Sequence, residues 1–148
     1  MDKHYEILIL GGGSAGLTVA AQLAERIGGK HIAVVEPSTR HYYQPLWTLV
    51  GGGIFTREES GRDEADLMPD GVTWIQDAAT SVDPEARRVA TAASGTLTSD
   101  YLVVATGVVL QWSKIPGLAE SVGKPGTGVV SNYSYETVAS TWEAIRTF

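Results

Sequence analysis

Three glycines and one glutamate carry the clearest chemistry in this 148-residue chain. Gly11, Gly13 and Gly16 stand in the spacing G-x-G-x-x-G. The first glycine permits a tight turn, and the second lets the backbone close on a pyrophosphate with no Cβ in the way. The third lets a helix pack against its strand. Phosphates would then rest on the free N–H groups of the helix N-terminus, where the dipole favours negative charge. Glu36 follows Gly16 by twenty residues, the distance at which an acid can bind the ribose hydroxyls of an adenine dinucleotide. The alternative is a glycine-rich structural turn with a surface glutamate, and the context weighs against it.

That context is a set of elements able to position the four residues. Tyr5 to Leu10 is a continuous apolar run, as expected for a parallel strand covered on both faces. After the glycines, Leu17, Ala20, Leu23, Ala24 and Ile27 recur at helical period, opposite a polar stripe of Thr18, Gln22 and Glu25. Gly28-Gly29 ends that helix, and Ile32 to Val35 reads as a second strand with Glu36 at its end. The expected class is α/β with a parallel sheet.

Composition excludes several other functions. The chain has 17 acidic against 11 basic residues, a net charge of −6 and no dense basic run, so binding to a nucleic-acid backbone is not expected. No apolar stretch approaches the roughly 20 residues of a spanning helix. With four residues before the first strand, no signal peptide is expected. There is no cysteine, which excludes disulfides, thiolate metal sites and cysteine chemistry within this sequence. His4, His31 and His41 show no ligand spacing and read as surface or hydrogen-bonded histidines, so no metal site is expected.

Further along, Pro45 suits the first turn of a short helix that Gly51-Gly52-Gly53 stops. Tyr42, Tyr43, Gln44 and Trp47 either cap the core or wall a flat cofactor ring, and the pattern alone leaves both readings open. Ile54 to Asp70 is densely charged and reads as a solvated loop or short helix. Val72 to Ile75 reads as a third short strand. Three alternating segments with turns between them, Ala79 to Val82, Arg87 to Thr91 and Thr96 to Thr98, read as a three-stranded antiparallel β-meander. It leads into the apolar strand Asp100 to Gly107. Tyr101 to Ala105 should pair with Tyr5 to Leu10 and leave Leu102, Val103 and Val104 on an open edge. Trp112 to Gly128 reads as a connection leaving the domain, and Val129 to Ser131 as the start of another strand. Ser134 is placed to cap a helix with Val138, Trp142 and Ile145 on its apolar face. That helix has no stop signal before Phe148, so a truncated piece of a longer protein is expected.

The glycine motif, the strand-end Glu36, the meander and Asp100-Tyr101-Leu102-Val103-Val104-Ala105-Thr106-Gly107 together resemble the FAD-dependent pyridine nucleotide-disulfide oxidoreductase superfamily. Within it, Glu36-Pro37-Ser38 followed by His41 to Gly51 is similar to the sulfide:quinone oxidoreductase family of the mitochondrial-like type. Leu67 to Ile75, Ser131 to Ser134, Thr137-Val138 and Thr141-Trp142 extend the likeness over nearly the whole chain. The resemblance implies a Rossmann-like FAD-binding domain over 1–110, incomplete without a returning C-terminal part. Residues 111–148 would form a connection and the start of a second nucleotide-binding-like domain.

The resemblance also implies site residues. The amides around Gly13, Ser14 and Ala15, between Gly11 and Gly16, would hold the FAD pyrophosphate, and Glu36 the adenosine ribose. The backbone at Ala79 would meet the adenine edge. Gln44 and Pro45 would lie towards the flavin, and Ala105, Thr106 and Gly107 would flank the cofactor. The reaction implied is oxidation of sulfide to sulfane sulfur, with electrons passing through FAD to a membrane quinone. In the family a cysteine pair near the flavin takes the sulfur, and the first would be expected shortly beyond Phe148. No residue of this sequence is then catalytic, and the piece alone should be inactive, self-associating and a weak holder of FAD. The full-length protein would be cytoplasmic or peripheral to a membrane, its membrane contact made by C-terminal parts outside this sequence. Tyr43 to Thr48 lacks a thiol where the disulfide reductases of the superfamily carry their redox pair, which argues against that design. A type II NADH:quinone oxidoreductase, a non-catalytic nucleotide-binding module and a plain NAD-binding Rossmann domain are the alternatives.

Overall fold

The computed structural model describes residues 3–148. The chain divides into two compact units, Met1–His41 with Arg62–Gly107, and Tyr42–Gly61 with Val108–Phe148.

The first unit is a mixed α/β sheet. Its strands are β1 (Lys3–Leu10), β2 (Ile32–Val35), β5 (Thr73–Ile75), β6 (Ala79–Asp83), β7 (Arg88–Thr91) and β8 (Thr96–Val104), in the order β5-β2-β1-β8-β7-β6. β1 pairs in parallel with β2 and β8, and β2 in parallel with β5. β6, β7 and β8 are antiparallel neighbours. The third meander segment and the apolar strand expected after it are one continuous strand. Its first residues, Thr96 to Thr98, pair with β7. Leu97 to Val104 pairs with β1 along almost its full length, with Leu10 opposite Val104. Past Ser99, whose N–H donates to the Arg87 carbonyl, the outer edge of β8 is open among the described residues, and Tyr101 and Val104 are exposed.

Ile7 to Leu10 and Ile32 to Val35 are buried without interruption, because both faces of the sheet are covered. On one face Ile7, Ile9, Ile32 and Val34 pack against Val19, Ala20, Leu23 and Ala24 of α1 (Ser14–Ile27). On the other, Leu8, Leu10, Ala33 and Val35 pack with Ile75, Val89 and Leu97. Each such aliphatic side chain contributes on the order of 1.5–3 kcal/mol by leaving water, which is what aligns the strand ends where the glycines turn.

The chain leaves this unit along β3 (Arg40–Tyr42) and returns along β4 (Gly61–Asp63), two strands that pair with each other. α3 (Glu64–Leu67) follows β4. The segment 54–70 is therefore not simply solvated: Ser60 and Glu64 within it are buried.

The second unit is built on α2 (Trp47–Gly51) and α5 (Val138–Thr147), with α4 (Leu118–Ser121) in the connection. Trp47, Val50 and Val138 form its core, with Tyr42 and Tyr135 packed against it. The Tyr42 and Tyr135 rings stack at 4.3 Å, and the Arg57 guanidinium lies over Tyr135. Gly51 and Gly53 do more than stop α2. A Cβ on Gly51 would overlap the Asn132 amide, and one on Gly53 (φ 75°) would overlap the Trp142 ring. Two expectations fail here. Val129 to Ser131 forms no strand, lying just past Gly126 and Gly128, both at positive φ. Ser134 does not cap α5: the helix begins four residues later with Thr137 at its N-cap, and the Ser134 hydroxyl donates to Glu136.

Candidate functional site

The first unit gathers most of the expected site residues at the C-terminal ends of β1, β2 and β8. Gly11 turns the chain at φ 101° and donates its N–H to the Val35 carbonyl. A Cβ there would overlap the Ala105 carbonyl, with the Thr106 Cα close behind. The Ala105 N–H in turn donates to Leu10 at 2.8 Å. Gly16 is required for a different contact: its Cβ would overlap the Gly11 carbonyl oxygen. So two of the motif's glycines are demanded by the protein itself.

Gly13 is not. It sits at the N-cap of α1 with φ −67° and ψ −178°, a conformation open to any residue, and a Cβ there would meet no protein atom within 4 Å. No side chain caps the helix, its first turn holds no acid, and Leu17 is the residue whose N–H returns to Gly13. The N–H groups of Ser14, Ala15 and Gly16 thus have no partner within the 14-residue helix and lie at its positive end.

Glu36 closes β2. Its carboxylate accepts from the Gly12 N–H at 2.8 Å and the Ser38 N–H at 2.7 Å. The Trp74 indole N–H donates to its backbone carbonyl. Two amides fix the carboxylate, whose further lone pairs stay available to hydroxyl donors. Ala79 opens β6, half-buried against the Leu8–Leu10 face. Asp77 pins the turn before it, accepting from Ala78, Ala93 and Ser94. The Ala93 N–H leads these in holding the Asp77 carboxyl well below the usual range. Gly107 follows at φ 71°, with open space where a Cβ would stand. Gln44 and Pro45 belong to the second unit, in a 3₁₀ turn that with Thr48, Asn132 and Tyr133 lines a hollow of about 460 Å³.

Two residues that pattern did not single out stand among these. The His41 ring is buried with Nδ1 at 3.3 Å from the Gly12 carbonyl oxygen and Nε2 at 3.4 Å from the Ser14 hydroxyl. Glu64 is 1 % exposed, its Oε2 is 3.6 Å from His41 Nδ1, and its Oε1 has no partner. Burial first, and the nearby Glu36 carboxylate second, push the Glu64 carboxyl up to about 7. A Cβ on Gly12 would overlap Glu64 Oε1, so this acid presses directly on the glycine loop.

A parallel sheet carrying a glycine turn, an uncapped helix start and a strand-end acid defines a dinucleotide-binding α/β oxidoreductase domain. The description "Pyridine nucleotide-disulphide oxidoreductase" matches residues 5–138, and the chain belongs to that family. It is 50% identical over 142 residues to the mitochondrial sulfide:quinone oxidoreductase of Dictyostelium discoideum, covering 95% of this chain and 31% of the relative. The Mus musculus mitochondrial sulfide:quinone oxidoreductase is 43% identical over 146 residues, covering 99% and 32%. In fold the chain is similar to the X-ray structure of sulfide:quinone oxidoreductase from Aquifex aeolicus, with TM-score 0.74 and 22% identity, covering 98% of this chain and 32% of that one. The chain spans about a third of the length of the relatives it matches.

Proposed function

We propose that this chain is the FAD-binding part of a flavoprotein that oxidises sulfide to sulfane sulfur and passes the two electrons to a quinone. The observation that carries the binding reading is Gly13. Neither its backbone angles nor any neighbour calls for a glycine, whereas a pyrophosphate lying against the helix start does. The donor set fits the group: the amides of Ser14, Ala15 and Gly16 at the helix start for phosphate oxygens, and Glu36 for ribose hydroxyls. The 50% identity to a sulfide:quinone oxidoreductase supports the choice of reaction.

FAD, when bound, supplies the two-electron carrier between sulfide and quinone. This chain's residues bind and orient it. The motif around Gly11 to Gly16 seats the pyrophosphate, the Ala79 backbone meets the adenine edge, and Ala105, Thr106 and Gly107 line the cofactor. Gln44 and Pro45 would lie towards the flavin end. Residues 1–110 make the incomplete FAD domain, and residues 111–148 form a connection and the start of a second, nucleotide-binding-like domain. The sulfur-accepting cysteines and the membrane contact lie outside this sequence, so the 148 residues alone are inactive. In the full-length protein, sulfide should bleach the flavin absorbance without nicotinamide and reduce a soluble quinone. Bleaching by NADH and not by sulfide would replace this reading with that of an NADH:quinone oxidoreductase.

A further inference from the structure

We propose that Ser14, His41 and Glu64 form a proton relay that couples a buried acid to the arrival of a phosphate at the start of α1. The proposal rests on the dinucleotide reading above and adds to it a charge that forms only in the complex. Its starting point is a buried carboxyl that the fold leaves half-satisfied. Buried polar atoms nearly always have partners, yet Glu64 Oε1 has none while its side chain is sealed beneath the glycine loop. From that acid a line of contacts runs outward through His41 Nδ1, then Nε2, to the Ser14 hydroxyl, which is exposed beside the helix N-terminus.

The ionisable groups about Glu64 are Glu36 from the end of β2 and His41 from β3. Arg40 and Asp63, the sequence neighbours of His41 and Glu64, are paired with each other. In the free protein below pH 7, burial first and the neighbouring Glu36 anion second keep the proton on Glu64. A neutral His41 ring places its proton on Nδ1, against the Gly12 carbonyl, which can only accept, and Nε2 then accepts the Ser14 hydroxyl proton. That hydroxyl is turned inward and gives nothing to a ligand.

A phosphate at the helix start favours a positive ring. The Glu64 carboxyl releases its proton to solvent and Nε2 takes one up from solvent by way of the exposed Ser14 hydroxyl, so the pair stays at zero net charge. Nδ1–H is then shared between the Gly12 carbonyl and the Glu64 carboxylate. Nε2–H donates to the Ser14 oxygen, and the Ser14 hydroxyl proton turns outward to a phosphate oxygen. The anion thus meets an added donor and a nearby imidazolium.

The test uses the apo form of the full-length protein on the mildly acidic side of pH 7, titrated with FAD and separately with ADP. Infrared difference spectra should show the carbonyl stretch of one protonated carboxylic acid vanish on binding, and Glu64→Gln should abolish that signal. Nitrogen NMR should show His41 Nε2 becoming protonated. Glu64→Gln and Ser14→Ala should each weaken FAD binding roughly fivefold, the difference between a neutral and a charge-assisted hydrogen bond. The double variant should lose little more, because both act on one bond. If FAD binds and the carboxyl band stays, or if the two losses multiply, the relay is wrong and the flavin reading stands. If neither FAD nor ADP binds, both fall together.

Discussion

Replacing Gly13 by serine separates what the protein needs from what the ligand needs. The backbone angles at Gly13 suit serine, and a Cβ there touches nothing. Serine is also a favoured N-cap, better than glycine by a few tenths of a kcal/mol. Gly13→Ser should therefore leave the melting temperature unchanged or slightly raised. Its hydroxyl oxygen, however, would accept from the Ala15 or Gly16 N–H and occupy donors that a pyrophosphate requires. Losing one charge-assisted hydrogen bond costs roughly 1.5–3 kcal/mol, so FAD affinity should fall about ten- to hundredfold. Gly16→Ala is the opposite control, since its Cβ overlaps the Gly11 carbonyl and should lower stability first. The assay is flavin titration of the full-length apoprotein beside thermal unfolding. Undiminished FAD affinity in a stable Gly13→Ser protein would refute the placement of the pyrophosphate.

Glu36→Ala should weaken FAD binding by about ten- to hundredfold through the lost ribose contact, and an unchanged titration would remove Glu36 from the site. Glu64 titrates near 7 when folded, so the folded state holds its proton where the unfolded chain has released it. Stability should then decline as pH rises from the unfolded carboxyl value towards 7, by about 3 kcal/mol at most, and Glu64→Gln should flatten that slope in urea unfolding. Asp77 behaves with the opposite sign. Its depressed pKa adds stability above the unfolded carboxyl value, lost as pH falls below it, and Asp77→Ala should erase that acid-side dependence. The open edge of β8 from Tyr101 to Val104 should make the 148-residue chain self-associate, and light scattering that shows a monodisperse monomer would contradict this.

The start of the fold was legible because its signals are local. The run into Leu10, the glycine spacing, the helical period of α1 and the acid after β2 each declare themselves within a few residues. The role of Gly16 was legible only in part, since its tightest neighbour is a carbonyl five residues back rather than the strand. Glu64 was hidden by its surroundings: a segment holding Arg57, Glu58, Glu59, Arg62, Asp63 and Asp66 reads as solvent-facing. What buries Glu64 is the space beside Gly12 and Glu36, distant in sequence, and no periodicity reports it. His41 was visible as a histidine, but its partners come from the glycine loop and from α3. The start of α5 was misplaced because residues 134–137 form a turn on the Ser134 carbonyl and Thr137 takes the N-cap.

The pairing of β1 with β8 has a consequence during synthesis. Lys3 stands opposite Leu97 and Leu10 opposite Val104, so the first strand leaves the ribosome long before its partner exists. At about 5–20 residues per second, the wait is on the order of 5–20 seconds. Through that interval Ile7 to Leu10 have β2 for one neighbour and no strand on the other side. A nascent chain of this protein would therefore depend on a chaperone, or on the pace of translation, to keep that edge from a foreign partner until β8 arrives.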